Sequence, residues 1–91
     1  MSMEMIRQHI YVSGRVQGVG FRFRIMQFAN QLKLAGWVRN LDDGRVEMEL
    51  QGEQEKIDHL FNLLKGDRFI VISHYEKDFV PVRHESGFQI R

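Results

Sequence analysis

Two segments of this chain place their apolar residues at helical spacing, and this feature limits the possible folds most. The two apolar stripes consist of Ile25, Phe28, Ala29 and Leu32 and of Ile57, Leu60, Phe61 and Leu64. The i, i+3, i+4, i+7 spacing predicts amphipathic helices over about residues 21–33 and 53–65. Because each helix has a single apolar stripe, we expect both helices to cover one face of a sheet.

Segments of alternating or β-branched apolar residues lie around the helices and predict the strands of that sheet. They cover residues 6–13, 37–41, 46–51, 69–76 and 88–90. In the first strand, Ile10 and Val12 are expected to face the core. In the third strand, Glu47 and Glu49 are expected to form a solvated acidic face. Charged residues around Pro81 are expected to form a loop.

The resulting order is strand, helix, strand, strand, helix, strand, with a short extra strand at the end of the chain. This order predicts an α+β protein with a ferredoxin-like, split βαβ sandwich, in which two helices lie on one face of an antiparallel sheet. A chain of 91 residues can bury one such core, so residues 1–91 are expected to form a single domain.

Composition excludes several classes of protein. The chain has no cysteine, so disulfides, thiolate metal sites and cysteine nucleophiles are excluded. Thirteen basic and twelve acidic residues give no bulk charge that would favour nucleic acid. Residues 1–10 include Glu4, Arg7 and Gln8 and lack the apolar core of a signal peptide, and no apolar run is as long as a membrane span. We expect a cytoplasmic protein that binds neither nucleic acid nor membrane.

A glycine-rich segment joins the first predicted strand to the first predicted helix. Its sequence is Gly14-Arg15-Val16-Gln17-Gly18-Val19-Gly20-Phe21-Arg22. Glycines let a backbone approach a ligand closely, and a helix N-terminus offers unpaired N–H donors to an anion. Arg15 and Arg22 supply positive charge beside those donors. The same glycines also suit a simple tight connection, and the spacing alone does not decide between these two interpretations.

Other polar residues give weaker signals. Asn40 precedes an Asp43-Gly44 turn, and its amide either positions a water or caps that turn. The chain has four histidines, and they are scattered without metal-ligand spacing. No serine has the setting of a nucleophile elbow, and no histidine–carboxylate pair is evident in the sequence. We therefore expect neither a metal nor a cofactor.

Residues 14–22 and 36–44 together resemble the two motifs of the acylphosphatase family. The first motif is matched at every position from Gly14 to Arg22, and the second is matched from Gly36 through the Asp43-Gly44 turn. The spacing between Arg22 and Asn40 also fits, and residues 87–91 resemble the closing strand of the family. The resemblance covers essentially the whole domain.

The resemblance implies hydrolysis of the carboxyl–phosphate bond of acyl phosphates to a carboxylate and inorganic phosphate, without a metal. By the family pattern, Arg22 binds the phosphoryl group and Asn40 holds the attacking water in line. The loop amides that share the phosphoryl group belong to Arg15, Val16, Gln17, Gly18, Val19 and Gly20. Inorganic phosphate is expected to inhibit as a product, and the protein is expected to act as a monomer.

Two features depart from the family pattern. Lys33 stands where the family commonly has glycine near the end of the first helix, and a left-handed conformation there would cost about 1 kcal/mol. Residues 66–79 lack the proline- and alanine-rich composition frequent in relatives.

Three other functions are compatible with parts of the sequence. A non-catalytic phosphate-binding module would use the loop but would not need Asn40. RNA-recognition domains share the element order, but they need basic and aromatic residues where this chain has Glu47 and Glu49. A domain of this kind also occurs within larger carbamoyl-transfer proteins, although the ends of this chain suit a free domain.

Overall fold

The computed structural model describes residues 4–91, which form a five-stranded sheet with two helices packed on it. The strands are β1 (Met5–Arg15), β2 (Ala35–Asn40), β3 (Val46–Glu53), β4 (Val71–Val80) and β5 (Phe88–Ile90), and the helices are α1 (Phe21–Gln31) and α2 (Gln54–Lys65). The first three residues of the segment examined for a signal peptide lie outside the described residues. Within residues 4–91, no helix is both long and apolar enough to cross a membrane.

The sheet has the strand order β4-β1-β3-β2-β5. Strand β1 pairs antiparallel with both β3 and β4, and β2 pairs antiparallel with β3. These four strands confirm the ferredoxin-like arrangement that the sequence predicted. The short β5 pairs parallel with β2, so the sheet is mixed rather than wholly antiparallel. The chain leaves β4 at one edge of the sheet and adds β5 at the other edge.

The core lies between the helices and one face of the sheet. Ile10 and Val12 of β1 are fully buried there, as predicted from their alternation with polar residues. The helices contribute the buried residues Phe21, Ile25 and Ala29 from α1 and Ile57, Leu60, Phe61 and Leu64 from α2. Both predicted apolar stripes therefore face the sheet.

The opposite face of the sheet differs from the prediction. Glu47 and Glu49 of β3 were expected to be solvated, but they are only 5% and 6% exposed. Basic side chains on the neighbouring strands cover them and pair with them. Arg7 Nε donates to Glu49 Oε1 at 2.5 Å, and Arg39 Nε donates to Glu47 Oε1 at 2.6 Å.

The ring of His9 joins these two ion pairs. Its Nδ1 lies 2.7 Å from Glu49 Oε2, and its Nε2 lies 2.7 Å from Glu47 Oε2. Burial raises the pKa of both carboxyl groups, but hydrogen bonds from the basic residues outweigh it, so each pKa lies below its ordinary value. These histidine–carboxylate pairs were not predictable from local sequence, because they depend on the register that places His9 opposite Glu49.

Several element boundaries also differ from the prediction, most of all those of β4 and α1. Strand β4 continues to Val80, so charged residues expected in the loop around Pro81 belong partly to an edge strand. Helix α1 ends at Gln31 rather than at Lys33, and Lys33 follows it with a left-handed φ of 58°. Gly66 is the C-cap of α2, and its φ of −77° is right-handed.

Candidate active site

The loop of residues 16–20 connects β1 to α1 and is anchored at its start. Val16 is 1% exposed and belongs to the hydrophobic core, and Val19 packs against that core. Gly18 and Gly20 have φ values of 74° and 78°. A Cβ atom at either glycine would meet no atom within 4 Å. These glycines therefore serve a left-handed backbone and leave its amides open to a ligand.

Helix α1 begins beside this open space without a cap. Its N-cap residue is Gly20, which has no side chain to bond the first amides, and its first turn contains no acidic residue. The first N–H groups of a helix have no intrahelical partner, and they carry the positive end of the helix dipole. By contrast, α2 has Glu55 in its first turn. The start of α1 therefore presents donors and positive potential to an anion.

The structure brings the two predicted catalytic side chains to one depression. Arg22 lies in the first turn of α1, and Asn40 is the last residue of β2. The depression has a volume of about 150 Å³ and is lined by Val16, Gly18, Gly20, Phe21, Arg22, Phe23 and Asn40. Of the other predicted loop residues, Arg15 ends β1 rather than lying in the loop, and Gln17 and Val19 do not line the depression. A larger depression of about 410 Å³, beside Asn30 and Lys33, contains none of the predicted site residues.

Arg22 differs from Arg24 and Arg45 in having no acidic partner among residues 4–91. Arg24 Nε lies 3.2 Å from Asp67 Oδ2, and Arg45 Nε lies 2.8 Å from Asp43 Oδ2. Those two charges are neutralised within the chain. The charge of Arg22, which is partly buried at the depression, remains available to an anion.

The turn after Asn40 is held by a different residue. Asp43 Oδ1 accepts from the backbone N–H of Arg45 at 3.0 Å, and its Oδ2 accepts from Arg45 Nε at 2.8 Å. These backbone and side-chain hydrogen bonds hold the pKa of Asp43 below its usual value. The exposed side chain of Asn40 has no hydrogen-bond partner in residues 4–91. Its amide is therefore not used to cap the turn.

The side chain of Gln17 makes a contact that the sequence did not reveal. Its Nε2 donates to the carbonyl oxygens of Leu41 at 2.8 Å and Arg45 at 3.0 Å. The loop is thereby joined to the hairpin that follows Asn40. Only the backbone amide of Gln17 was expected in the site, since nothing local to the loop indicates where its side chain points.

The described part of the chain contains no group of three or more histidine, aspartate or glutamate side chains placed to hold a metal ion. His59, His74 and His84 are exposed. The candidate site consists of backbone amides, one guanidinium and one carboxamide.

The fold and the site together define a class of protein. It is a small α+β protein in which a glycine-rich loop and the uncapped start of a helix form a candidate anion site. Comparison with known proteins is more specific. The family model for acylphosphatase matches residues 8–90. The acylphosphatase of Pseudomonas aeruginosa is 46% identical over 90 residues, covering 98% of this chain and 99% of that protein. The acylphosphatase of Trichormus variabilis is 51% identical over 89 residues, covering 97% of this chain and 88% of that protein.

A solved structure gives the same result. The crystal structure of acylphosphatase from Bacillus subtilis superimposes with a TM-score of 0.86 at 34% identity, covering 94% of this chain and 98% of that one. This chain belongs to the acylphosphatase family. It is thus a hydrolase of acyl phosphates, and the resemblance seen in its two motifs is confirmed.

Proposed function

We propose that this chain cleaves the carboxyl–phosphate bond by in-line attack of a water on a phosphoryl group held by the loop amides and Arg22. Asn40 holds the water, and no metal takes part. The observation that carries the proposal is the single depression that Arg22, Asn40 and the uncapped start of α1 share. Residues 1–91 act as one domain.

Binding of the phosphoryl group falls to residues 15–20 and Arg22. Phosphoryl transfer chiefly requires positioning and stabilisation of charge on the equatorial oxygens. Fixed backbone dipoles aimed at those oxygens supply this without reorganisation during the reaction. The planar guanidinium of Arg22 adds two parallel donors to two oxygens. Because this arrangement already supplies positive charge, the reaction does not need a metal.

The chemistry of the substrate explains why so few side chains are needed. The conjugate acid of the departing carboxylate has a pKa of about 4, so the carboxylate departs without protonation by a general acid. No residue lining the depression is a carboxylate or a histidine. The proton of the attacking water therefore passes to the phosphoryl oxygens of the substrate. The carboxamide of Asn40 orients that water without accepting its proton.

The chain is further proposed to act alone in the cytoplasm, with its substrate and its phosphate product as its only ligands. The chain acts as a monomer, since its own Arg22, Asn40 and start of α1 already line one depression. Inorganic phosphate, as a product that fits the same loop, inhibits competitively. The net charge of +1 provides no bulk attraction to nucleic acid, so no nucleic-acid partner is proposed. The absence of cysteine suits a reducing compartment, in agreement with a cytoplasmic location.

The test is hydrolysis of benzoyl phosphate with and without a chelator, followed at several concentrations of inorganic phosphate. We expect turnover to survive the chelator and phosphate to raise KM without changing kcat. Loss of turnover in chelator that a divalent ion restores would show that the reaction needs a metal. Phosphate binding without turnover would instead identify a non-catalytic phosphate-binding module, which has no use for Asn40.

A further inference from the structure

The carboxamide of Gln17 occupies a bridging position between two segments of the site. It lies in the loop, between the buried Val16 and the open Gly18. Its Nε2 donates to the backbone carbonyls of Leu41 at 2.8 Å and Arg45 at 3.0 Å. Both hydrogens of one amide group are therefore used on the hairpin between β2 and β3.

The two carbonyls belong to the base of that hairpin. Leu41 N–H donates to Arg45 O at 2.8 Å, and Gly44 N–H donates to Leu41 O at 3.2 Å. Each carbonyl thus accepts one bond from the hairpin itself and one from Gln17. Leu41 directly follows Asn40, whose backbone pairs with Val46 across the hairpin. A movement of this base would move the Asn40 side chain.

We infer that Gln17 is a positioning residue, whose side chain fixes the distance between the loop amides and Asn40. The inference rests on the proposed function, in which the loop holds the phosphoryl group and Asn40 holds the water. The two must be aligned for in-line attack, and a misplacement of about 1 Å can cost on the order of 10²-fold in rate. No other side-chain hydrogen bond joins loop residues 16–20 to 40–45 in the described chain.

The matching variant is Gln17→Met, which keeps the length and approximate volume of the side chain and removes both donors. Because the loop amides and Arg22 remain, we expect inhibition by phosphate to change by less than about threefold. We expect kcat for benzoyl phosphate to fall by about tenfold or more, the signature of an interaction that matters in the transition state. Gln54→Met is the control, because it removes an exposed glutamine hydrogen bond to Asp58 on α2.

A double variant distinguishes positioning from simple stabilisation. If Gln17 acts through Asn40, Gln17→Met should lower kcat by less than about twofold in an Asn40→Ala background, because coupled residues are not additive. Circular dichroism and urea melts confirm that each variant is folded at the assay temperature. A similar loss in both backgrounds, or a loss clearly below about tenfold in the parent chain, would overturn the inference.

The same measurements separate this inference from the proposed function. If Asn40→Ala kept full turnover, the assignment of the water to Asn40 would fail, and the role of Gln17 would fail with it. If Asn40→Ala lost turnover while Gln17→Met kept it, only the positioning role would be wrong. Gln17→Ala, which removes the whole side chain beyond Cβ, provides a second variant should the methionine pack poorly.

Discussion

The backbone N–H of Leu34 donates to the carbonyl oxygen of Ala29 at 2.8 Å, across a lysine in the left-handed conformation. Together with the bond from Lys33 N–H to Asn30 O at 3.2 Å, this is the Schellman arrangement that ends many helices. Glycine usually occupies the left-handed position, because a Cβ atom is strained there. The structure thus supports the expectation that Lys33 stands at a glycine position.

Lys33→Gly should therefore be neutral or stabilise the protein by about 0.5–1 kcal/mol, despite the greater freedom of glycine in the unfolded chain. Lys33→Ala is the control, since it removes the same side chain but keeps the strained Cβ atom, and it should bring no gain. Urea melts with unchanged m-values would measure both. A clear loss of stability in Lys33→Gly would show that the lysine side chain itself stabilises this end of α1.

The second prediction concerns the stability of the fold at acidic pH. Glu47 and Glu49 have pKa values below the ordinary 4.5, so the folded state binds their protons less readily than the unfolded state does. Their contribution to stability is therefore complete above pH 4.5 and is lost as the pH falls through the lowered values. The urea midpoint should fall steeply from about pH 4.5 downward. His9→Gln, which removes the bridge between the two carboxyl groups, should reduce that slope, and an unchanged slope would contradict the prediction.

This polar cluster also shows the limit of what the sequence can predict. The core face was predictable, because the apolar spacing of Ile10 and Val12 is a local property of the chain. The burial of Glu47 and Glu49 was not, because it depends on the register that places β1 beside β3. A carboxylate on an alternating strand is normally solvated, and here basic residues of both neighbouring strands, β1 and β2, cover it.

The candidate site shows the same division. Its motifs could be read from the sequence, because residues 14–22 and 36–44 are each continuous. That the two segments meet was implied by the resemblance, and the structure shows the shared depression. The bond from Gln17 to the hairpin was not predictable, since a side chain with two donors gives no sign of which carbonyls it will find. The extension of β4 likewise depends on pairing with β1.

The third prediction concerns the acyl part of the substrate. Phe23 lines the depression beside Arg22 and Asn40, and its side chain is 67% exposed. An exposed ring at the mouth of a substrate site offers a surface for an aromatic acyl group. Phe23→Ala should lower kcat/KM for benzoyl phosphate by about threefold to tenfold more than for acetyl phosphate. This factor corresponds to the loss of one aromatic contact, which contributes about 1 kcal/mol.

The control for that measurement is Phe69→Ala. Phe69 is also exposed, at 57%, but it does not line the depression. It should leave the ratio of the two substrates unchanged. An equal loss on both substrates in Phe23→Ala would mean that the ring supports the site rather than contacting the acyl group.

The fourth prediction concerns Arg22, which is proposed to contact the phosphoryl group in both the ground state and the transition state. Arg22→Ala should weaken phosphate binding as well as turnover. Arg22→Lys should recover little, because an ammonium cannot reproduce two parallel donors in one plane. Arg24→Ala is a close control, since Arg24 is on the same helix but is paired with Asp67. Calorimetric titration with phosphate and benzoyl phosphate kinetics would measure each variant, and intact phosphate binding in Arg22→Ala would refute the contact.

The last prediction concerns Asn40, which is proposed to touch only the water. Asn40→Ala should lower kcat by on the order of 10²-fold or more, the scale seen when one positioned hydrogen-bonding group is removed. Phosphate affinity should stay nearly unchanged, because the group acts chiefly in the transition state. The folded structure should also persist, since Asp43 rather than Asn40 holds the turn.

Asp43→Ala provides the comparison for Asn40→Ala, because it removes the bonds that hold the turn and leaves the carboxamide in place. It should reduce stability in urea melts more than Asn40→Ala does, while Asn40→Ala should reduce kcat more. Phosphate titration, circular dichroism and benzoyl phosphate kinetics on the two variants would measure these effects. The proposed role of Asn40 requires that Asn40→Ala keep its phosphate affinity and lose turnover. If the variant lost phosphate binding, or kept full turnover, the water would have to be held by another group.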